Sequence, residues 1–508
     1  MSEKSRVGLI FGAVALLAGG GLYYYFKIYA PKQTRGVAQK EIVAWEERLD
    51  KVRHCLLGDK PASAKAGEAL AVRELAPDPW DRGACTGLIG KLSRGIAEDS
   101  GIMKVEHAWM TVDRAASHVA NAFATHVDPG GETADKRGKD SPLPGALDEL
   151  DDARAQLREA AGMEPAPATG PAALPVAEMI ALKEGTDTVS TLIAWTLPSS
   201  GGALAFGSVK GKGEVQLTLA PGAAPKVAKL PAAAVRAVPD GTWGAAGLRE
   251  EVAIGTVDAA GAFGQMTHLP VELGARVLIA VGSFTDGLVA YATSNGLVLA
   301  RAHGAAFVAE KRVDVGRIAS AIDPGGRGLV AWEAPPGPKG DPESGPTRGF
   351  IATTGAAPTI VELGSGAPSS ACLSATRGWV AVQDQLVGFD GKTATPHVLP
   401  EHELLGCTMD GALMHKYASA HFVVCNDTCR EAEIASLRPT NVATIAGGKV
   451  IAIRTRGRVI GVWSEGVAPR FFATEKSVTP TLAYSDGKVV DVLGETEDAA
   501  VVVRIPLR

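Results

Sequence analysis

The stretch from His397 to Cys429 concentrates residue types that bind metals or form disulfides. It holds four of the ten histidines and three of the six cysteines of the chain. Imidazole and thiolate groups are ligands of zinc and copper, so His415, His421 and Cys407 are the candidates for a soft-ligand metal site. The alternative is a set of disulfides with incidental histidines, which the polar turn residues beside the cysteines favour. We therefore predict no bound metal here.

All six cysteines occupy positions that suit disulfides in an oxidising compartment: Cys55, Cys85, Cys372, Cys407, Cys425 and Cys429. The first two flank the junction of two predicted helices, where a bond would close a loop of about 30 residues. The next two each precede the glycine turn of consecutive β repeats, so neighbouring repeats could bring them together. The last two enclose an Asn-Asp-Thr turn. Free thiols are the alternative.

Three arginines alternate along one predicted hairpin. Arg454, Arg456 and Arg458 are spaced by two residues, so their side chains share one face of a strand. Such a stripe could bind an anionic glycan, a phosphate or a protein. The alternative is a solvated face with no ligand. The three residues are the predicted anion-binding candidates.

Motifs of enzymes are incomplete in this chain. Gly391-Lys392-Thr393 ends like a phosphate-binding loop, but Leu386 occupies the position where that loop needs glycine. His402-Glu403 lacks the second histidine of a zinc protease, and neither a GxSxG nor a CxxC sequence is present. We therefore predict a non-catalytic protein with no catalytic residues and no cofactor. A propeller-type hydrolase or lyase acting on glycans is the alternative, because such sites are assembled from separate loops.

The overall charge excludes one class of partner. The chain has 508 residues, with 51 Lys plus Arg against 56 Asp plus Glu and a net charge of −5. A dedicated nucleic-acid binder would show a concentrated basic excess, so no nucleic-acid partner is expected. Hydrophobic residues make up 46% of the chain, which excludes a largely disordered protein.

An uncharged segment near the N-terminus predicts a membrane anchor. Residues 7–26 are long enough to cross about 30 Å of hydrocarbon, and they end in three tyrosines and a phenylalanine typical of a membrane interface. The prediction is a cytoplasmic tail at 1–6, a transmembrane helix at 7–26 and a body outside the cytoplasm. The alternative is a signal peptide cleaved near Ala18-Gly19-Gly20, which would release a secreted protein.

Residues 33–161 carry the period of amphipathic helices. Four apolar patterns are present, and the first follows a spacing of three and four residues through Ile42, Trp45, Leu49, Val52 and Leu56. These patterns predict a small helical bundle. A Pro- and Ala-rich linker at 162–176 follows it.

Residues 177–508 change to the period of β-strands. A glycine turn followed by runs of β-forming residues recurs at steps of 33–50 residues. This repeat predicts an all-β propeller, and dividing its length by the expected blade size gives seven or eight blades, of which we prefer seven. The blade motifs of WD and kelch repeats are absent. An array of β-sandwiches is the alternative, but its domains are much longer than the observed step.

These features together predict a multidomain protein tethered to the membrane. We expect an extracytoplasmic β-propeller that binds or scaffolds a protein or a cell-envelope polymer, with the helical bundle as spacer or second contact surface. The function alternatives are the glycan-active enzyme and a metal-binding or sensory envelope protein.

Overall fold

The computed structural model describes most of the chain after the predicted anchor. The described residues are 30–58, 66–75, 80–93, 102–127, 142–164, 174–196, 202–229, 235–237, 243–247, 251–257, 263–270, 276–282, 287–293, 296–301, 306–311, 317–323, 327–336, 345–353, 358–435 and 437–507. The predicted tail at 1–6 and anchor at 7–26 lie outside this set. None of the helices within it has the length and apolar character needed to cross a bilayer. The chain divides into two units, Met1–Leu174 and Pro175–Arg508.

The first unit is a helical bundle. Its described helices are α1 (Ala30–Leu57), α2 (Ala66–Leu75), α3 (Arg82–Ile89), α4 (Met103–Val127) and α5 (Leu143–Ala160). The predicted apolar seam of α1 is buried in a single core shared by these helices. Trp45 anchors this core: its Nε1 donates to the Leu92 carbonyl over 3.0 Å, and its ring meets that of Trp109 edge to face at 5.7 Å. The sequence did not predict helix α2, because alanines form much of its buried side and differ little in hydrophobicity from its exposed side.

A buried charge network ties the first and last helices of the bundle together. The Glu46 carboxylate on α1 accepts from Arg154 Nε over 2.6 Å and from Arg158 Nη1 over 2.7 Å, both on α5. All three side chains are largely buried. Desolvated charges of this kind require mutual pairing, so the network fixes which face of α5 meets α1.

The second unit is a β-propeller of eight blades, whose strands A to D are named in chain order. Blade 1 is β3 (Asp187–Thr196), β4 (Ala203–Val209), β5 (Gly213–Leu219) and β6 (Lys226–Lys229), with the short β2 (Lys183–Glu184) beside β3. Blade 2 is β7 (Val235–Ala237), β8 (Trp243–Gly247), β9 (Glu251–Val257) and β10 (Phe263–Pro270). Blade 3 is β11 (Arg276–Val281), β12 (Leu288–Thr293), β13 (Gly296–Arg301) and β14 (Ala306–Lys311). Blade 4 is β15 (Ile318–Asp323), β16 (Arg327–Glu333), β17 (Pro346–Ala352) and β18 (Val361–Ser365).

The remaining four blades follow the same antiparallel order. Blade 5 is β19 (Pro368–Leu373), β20 (Gly378–Val382), β21 (Gln385–Phe389) and β22 (Ala394–Val398). Blade 6 is β23 (His402–Thr408), β24 (Gly411–Lys416), β25 (His421–Cys425) and β26 (Cys429–Glu433). Blade 7 is β27 (Val442–Ala446), β28 (Lys449–Arg456), β29 (Val459–Ser464) and β30 (Val467–Ala473). Blade 8 is β31 (Thr479–Ser485), β32 (Val489–Glu495) and β33 (Ala500–Pro506), completed by β1 (Glu178–Ala181).

The propeller prediction is confirmed, but the preferred blade number of seven is wrong and the alternative of eight is correct. Two features explain why counting the repeats in the sequence missed the eighth blade. The outer strand of blade 8 comes from the start of the unit, where β1 pairs with β33 from Glu178↔Arg504 to Ala181↔Val501. The A strands of blades 5 and 6 begin only 34 residues apart, at Pro368 and His402, so one blade is unusually short.

Apolar side chains pack between neighbouring blades, and polar contacts join their edges. Separate buried clusters fill the spaces between blades 4 and 5, 5 and 6, 7 and 8, and 8 and 1. Arginines reach across four of the junctions. Arg327 donates to the Ser374 carbonyl (2.5 Å), Arg377 to Asp427 (2.8 Å), Arg430 to Glu465 (2.9 Å) and Arg470 to the Pro506 carbonyl (2.8 Å). These contacts make this half of the ring a rigid support for the loops that it carries.

A buried ion pair lies where the last blade of the ring meets the first. Asp491 on β32 has a fully buried side chain and accepts from Arg504 on β33 through both carboxylate oxygens, at 3.0 and 3.1 Å. The same carboxylate accepts from the Gly222 amide of blade 1 over 3.0 Å, and Arg504 donates to the Ala223 carbonyl over 2.6 Å. The C-terminal blade is therefore joined to blade 1 by charge-assisted hydrogen bonds as well as by β1.

Candidate binding face

The two ends of the propeller carry different connections. Turns between strands B and C, together with the connections from strand D to the next blade, lie at one end, which we call the B–C face. Turns between strands A and B and between C and D lie at the opposite end, the A–B face. This division follows from the antiparallel order of the strands.

Strained backbone is concentrated on the B–C face of blades 5 and 6. Among the described residues, three that are not glycine have a left-handed φ: Gln383 (51°), Glu401 (61°) and Ala418 (53°). Gln383 and Ala418 lie in the B–C turns of blades 5 and 6, and Glu401 lies in the connection between those blades. A side chain in this conformation costs about 1–2 kcal/mol per residue. Such strain tends to accumulate where a surface has a function.

Hydrogen bonds link these strained segments into one platform, residues 383–384, 399–402 and 416–421. The Leu399 amide donates to the Asp384 carbonyl over 2.8 Å, and the Tyr417 amide donates to the Glu401 carbonyl over 2.9 Å. His415, which is buried, donates from Nε2 to the Ser419 carbonyl over 2.8 Å and so fixes the last of the three segments. These hydrogen bonds within the protein therefore hold the backbone of the platform in place.

Tyr417 projects from this platform. Its side chain is 71% exposed although it follows a buried strand and precedes the strained Ala418. Exposed tyrosines on a rigid backbone are frequent anchors in protein interfaces, because a large contact area is ordered at small cost in conformational entropy. Tyr417 was not singled out by the sequence; its only local signal is the short polar interruption between two β runs.

A basic surface adjoins the platform on blade 7. It consists of Arg438, Arg454, Arg456 and Arg458, the last three of which are the predicted anion-binding candidates. Arg454 and Arg456 share one side of β28 where it reaches the B–C face, and Arg458 follows in the turn. Burial, together with the like charges of Arg438 and Arg456, lowers the pKa of Arg454. The pKa shift shows that the charges of Arg438 and Arg456 lie close to that of Arg454.

Arg438 was missed by sequence analysis because it lies in a loop outside the alternating stripe. This loop connects blades 6 and 7. It begins beside the platform, where the Ile434 amide donates to the Ala420 carbonyl over 3.4 Å. It ends beside β28, where Thr440 Oγ1 donates to the Ile453 carbonyl over 2.5 Å. Arg438 therefore lies between the platform and the arginine stripe.

The candidates for a metal site do not converge. Cys407 lies near the A–B face and is bonded to Cys372, so its thiolate is not available as a ligand. His415 lies toward the other end of the same hairpin, where it pairs with Glu403 at 3.4 Å and Ser419, and His421 is 3.9 Å from Glu433. The part of the chain that the structure describes contains no group of three or more possible ligands. The soft-metal interpretation of these residues is therefore not supported by their positions.

All six cysteines are instead paired. Cys55–Cys85 joins α1 to α3 in the bundle, Cys372–Cys407 joins the A strands of blades 5 and 6, and Cys425–Cys429 closes the C–D hairpin of blade 6. The middle bond links the two blades that carry the platform. Three disulfides suggest a secreted or extracytoplasmic protein.

Carboxylates are few on the described parts of the A strands. Only Asp187, Asp323 and Glu403 are present there, on blades 1, 4 and 6. Asp323 ends its strand at the A–B face, whereas the other two begin theirs at the B–C face. Asp187 is paired with Lys212 at 2.6 Å. Hydrolysis of a glycoside uses two carboxyl groups within about 10 Å of each other, so these strands offer few candidates for such a pair.

The strain at Ala418 has a measurable consequence. Ala418→Gly is expected to raise the free energy of unfolding by about 0.5–1 kcal/mol, because glycine adopts the left-handed conformation without a clash. Ala420→Gly, in the same turn but outside that conformation, is the matched control and should lower stability by a similar amount. Guanidinium chloride denaturation of both variants measures the difference. A loss of stability in both variants would show that Ala418 is not strained.

The fold defines the class of protein. The chain is an eight-bladed β-propeller with disulfides, following a small helical bundle. No family model and no curated protein matches the sequence.

Solved structures of similar fold share little sequence with it. The WD40 domain of SCAP from fission yeast is 8% identical, with 65% of this chain and 98% of that chain covered and a TM-score of 0.38. Apo AztD from Citrobacter koseri is 11% identical, with 62% and 89% covered and a TM-score of 0.36. The acylaminoacyl peptidase of Pyrococcus horikoshii is 9% identical, with 63% and 52% covered and a TM-score of 0.34. Similarity at this level carries no argument about ligand or activity.

Proposed function

We propose that the protein is a membrane-tethered, extracytoplasmic binding module that holds a protein or cell-envelope polymer on the B–C face of blades 5–7. The observation that carries this proposal is the coincidence of strained turns, an exposed tyrosine and a basic surface on one face. Rigid loops on a propeller are suited to recognition, since their order is established before the partner arrives. The proposed role is non-catalytic, with no cofactor.

The proposed membrane tether rests on the sequence of residues 7–26, and the proposed location outside the cytoplasm rests on the disulfides. Twenty uncharged residues ending in aromatic side chains suit a bilayer span, with residues 1–6 in the cytoplasm. The three disulfides suit a body outside the cytoplasm. Positive charges lie on both sides of the apolar segment, so they do not determine its orientation. We place the long C-terminal body outside the cytoplasm, since a long domain can be translocated largely regardless of charge.

The tether is tested by fractionation of the full chain. We expect it to stay in the membrane pellet after a carbonate wash, with its N-terminal residues intact. Leu16→Arg with Leu17→Arg should shift it to the soluble fraction, because each arginine at the centre of a span costs about 2.5–3.5 kcal/mol. A mature chain that begins just after Ala18, Gly19 or Gly20 would instead show a cleaved signal peptide and a secreted protein.

Binding is tested by cross-linking the full chain in its native membranes. The wild type should form a specific cross-linked product that is lost in the variant Tyr417→Ala with Arg456→Glu. Lys392→Glu, in a turn of the A–B face, makes the same change of charge and should leave the product intact. The glycan-active alternative would be favoured if the purified protein turned over an envelope glycan and no cross-linked product depended on Tyr417.

A further inference from the structure

We infer that the Cys425–Cys429 disulfide is a redox-active site that takes two electrons from a dithiol of a partner. It lies at the C–D turn of blade 6 on the A–B face, so it is separate from the binding face proposed above. A first thiolate of the partner attacks Cys429 Sγ and forms a mixed disulfide, while Cys425 Sγ leaves as a thiolate. The partner's second thiolate then attacks the partner's own sulfur in that mixed disulfide and releases Cys429. The partner becomes a disulfide, and its two protons finish on the two cysteines.

The two cysteines of this bond differ in their access to solvent. Cys425 is fully buried in the cluster between blades 5 and 6, whereas Cys429 at the edge of that cluster is only partly buried. The three residues between them, 426–428, are all exposed. Exchange begins when a thiolate reaches one sulfur of the disulfide, so access decides which sulfur is attacked. Cys429 is therefore the attacked residue, and Cys425 is the leaving group.

The hairpin that carries this bond is held by its own strand pairing. Strands β25 and β26 pair from His421↔Glu433 to Val424↔Arg430, next to the pair of cysteines. The two cysteines are only 4 residues apart, so their bond removes few conformations from the unfolded chain. Reduction can therefore open the bond while the ladder keeps the two thiols side by side.

Arg377 of blade 5 holds the same turn from outside the hairpin. Its guanidinium donates to the Asn426 carbonyl over 3.3 Å and to the Asp427 carboxylate over 2.8 Å. These hydrogen bonds do not pass through the disulfide, so they keep the turn in place when the bond is open. Arg377 is a positioning residue, because it keeps the two thiols at high effective concentration for re-forming the bond.

The other two disulfides are built to stabilise the fold. Cys372 and Cys407 are both buried, and their bond joins two blades across 35 residues of sequence. Cys55 is partly buried, but its bond to Cys85 joins two helices across 30 residues. The chain-entropy account gives both bonds a larger stabilising effect than the bond of the blade 6 turn. A bond that stabilises the fold more is harder to reduce, so these two serve as internal references.

The first test measures how readily each disulfide is reduced. The full chain is equilibrated with dithiothreitol, a dithiol, at graded ratios of its reduced to its oxidised form, and peptide mass mapping after alkylation reports each bond. We expect Cys425–Cys429 to be half reduced at a ratio about tenfold lower than either other bond, because less folding free energy opposes its opening. If all three bonds open at one ratio, or another bond opens first, the inference is overturned.

The second test identifies the sulfur that a thiol can reach. Cys425→Ala leaves a partly buried thiol at Cys429, and Cys429→Ala leaves a fully buried thiol at Cys425. The first variant should form a mixed disulfide with oxidised glutathione at least about tenfold faster than the second. An intact Cys372–Cys407 bond in both variants shows that blades 5 and 6 are still joined. Equal rates would contradict the proposed order of attack.

The role of Arg377 is tested through the same reduction equilibrium. Arg377→Gln should lower the dithiothreitol ratio for half reduction of Cys425–Cys429 by at least about threefold, because the open thiols are held together less well. Arg470→Gln is the matched control, since it removes an arginine contact between blades 7 and 8. It should change the ratio by less than about twofold. Equal shifts in the two variants would show that Arg377 does not position this turn.

Discussion

Replacing both Cys372 and Cys407 with alanine is expected to lower the free energy of unfolding of the propeller by about 4 kcal/mol. The two cysteines are 35 residues apart and join the A strands of blades 5 and 6. In the chain-entropy account, the bond stabilises the fold because it removes conformations from the unfolded chain, and this effect grows with the length of the closed loop. Chemical denaturation under non-reducing conditions measures the loss.

The other disulfide of blade 6 supplies the control. Cys425 and Cys429 are only 4 residues apart, so replacing both with alanine should cost about 2 kcal/mol by the same account. Both pairs contribute to one buried cluster, which makes the loss of sulfur packing comparable. If the two double variants are equally stable, loop length does not determine the effect and the entropic explanation is wrong for this propeller.

The repeat architecture could be predicted because glycine turns and β runs recur along the sequence. The blade count was harder, because blades differ in length and one is assembled from both ends of the unit. Strand β1 contains only four residues, Glu178–Ala181, and its place beside β33 depends on a contact more than 300 residues away in sequence. A periodic pattern contains no information on such closure. The count of repeats therefore underestimated the blades by one.

The binding face was predictable only in part, for similar reasons. The arginine stripe of β28 is visible because alternate residues of a strand share a side. Gln383, Glu401 and Ala418 give no such signal, since left-handed backbone is expected at glycine or asparagine rather than at these residues. These residues lie beside hydrogen bonds that extend the β21–β22 ladder of blade 5 and the β23–β24 ladder of blade 6, and such bonds form only once the strands have paired.

The second large effect is expected at the closure of the ring. Asp491→Asn should lower the free energy of unfolding of the propeller by about 3–5 kcal/mol, because it leaves the largely buried Arg504 guanidinium without its counter-charge. The substitution also weakens the acceptor for the Gly222 amide, so blade 8 loses a contact to blade 1. Chemical denaturation measures the stability. The rate of backbone amide hydrogen exchange should increase most in β1 and β33.

An exposed ion pair on the same blade provides the control for this prediction. Asp498 pairs with Lys476 at 2.6 Å, but both side chains are more than half exposed, so Asp498→Asn should have little effect. The double variant Asp491→Leu with Arg504→Met removes both buried charges and should recover part of the stability lost in Asp491→Asn, since no charge is then left unpaired. If Asp491→Asn is no less stable than Asp498→Asn, the buried pair does not hold the ring closed. Closure would then depend on the β1–β33 ladder and the apolar packing between blades 8 and 1.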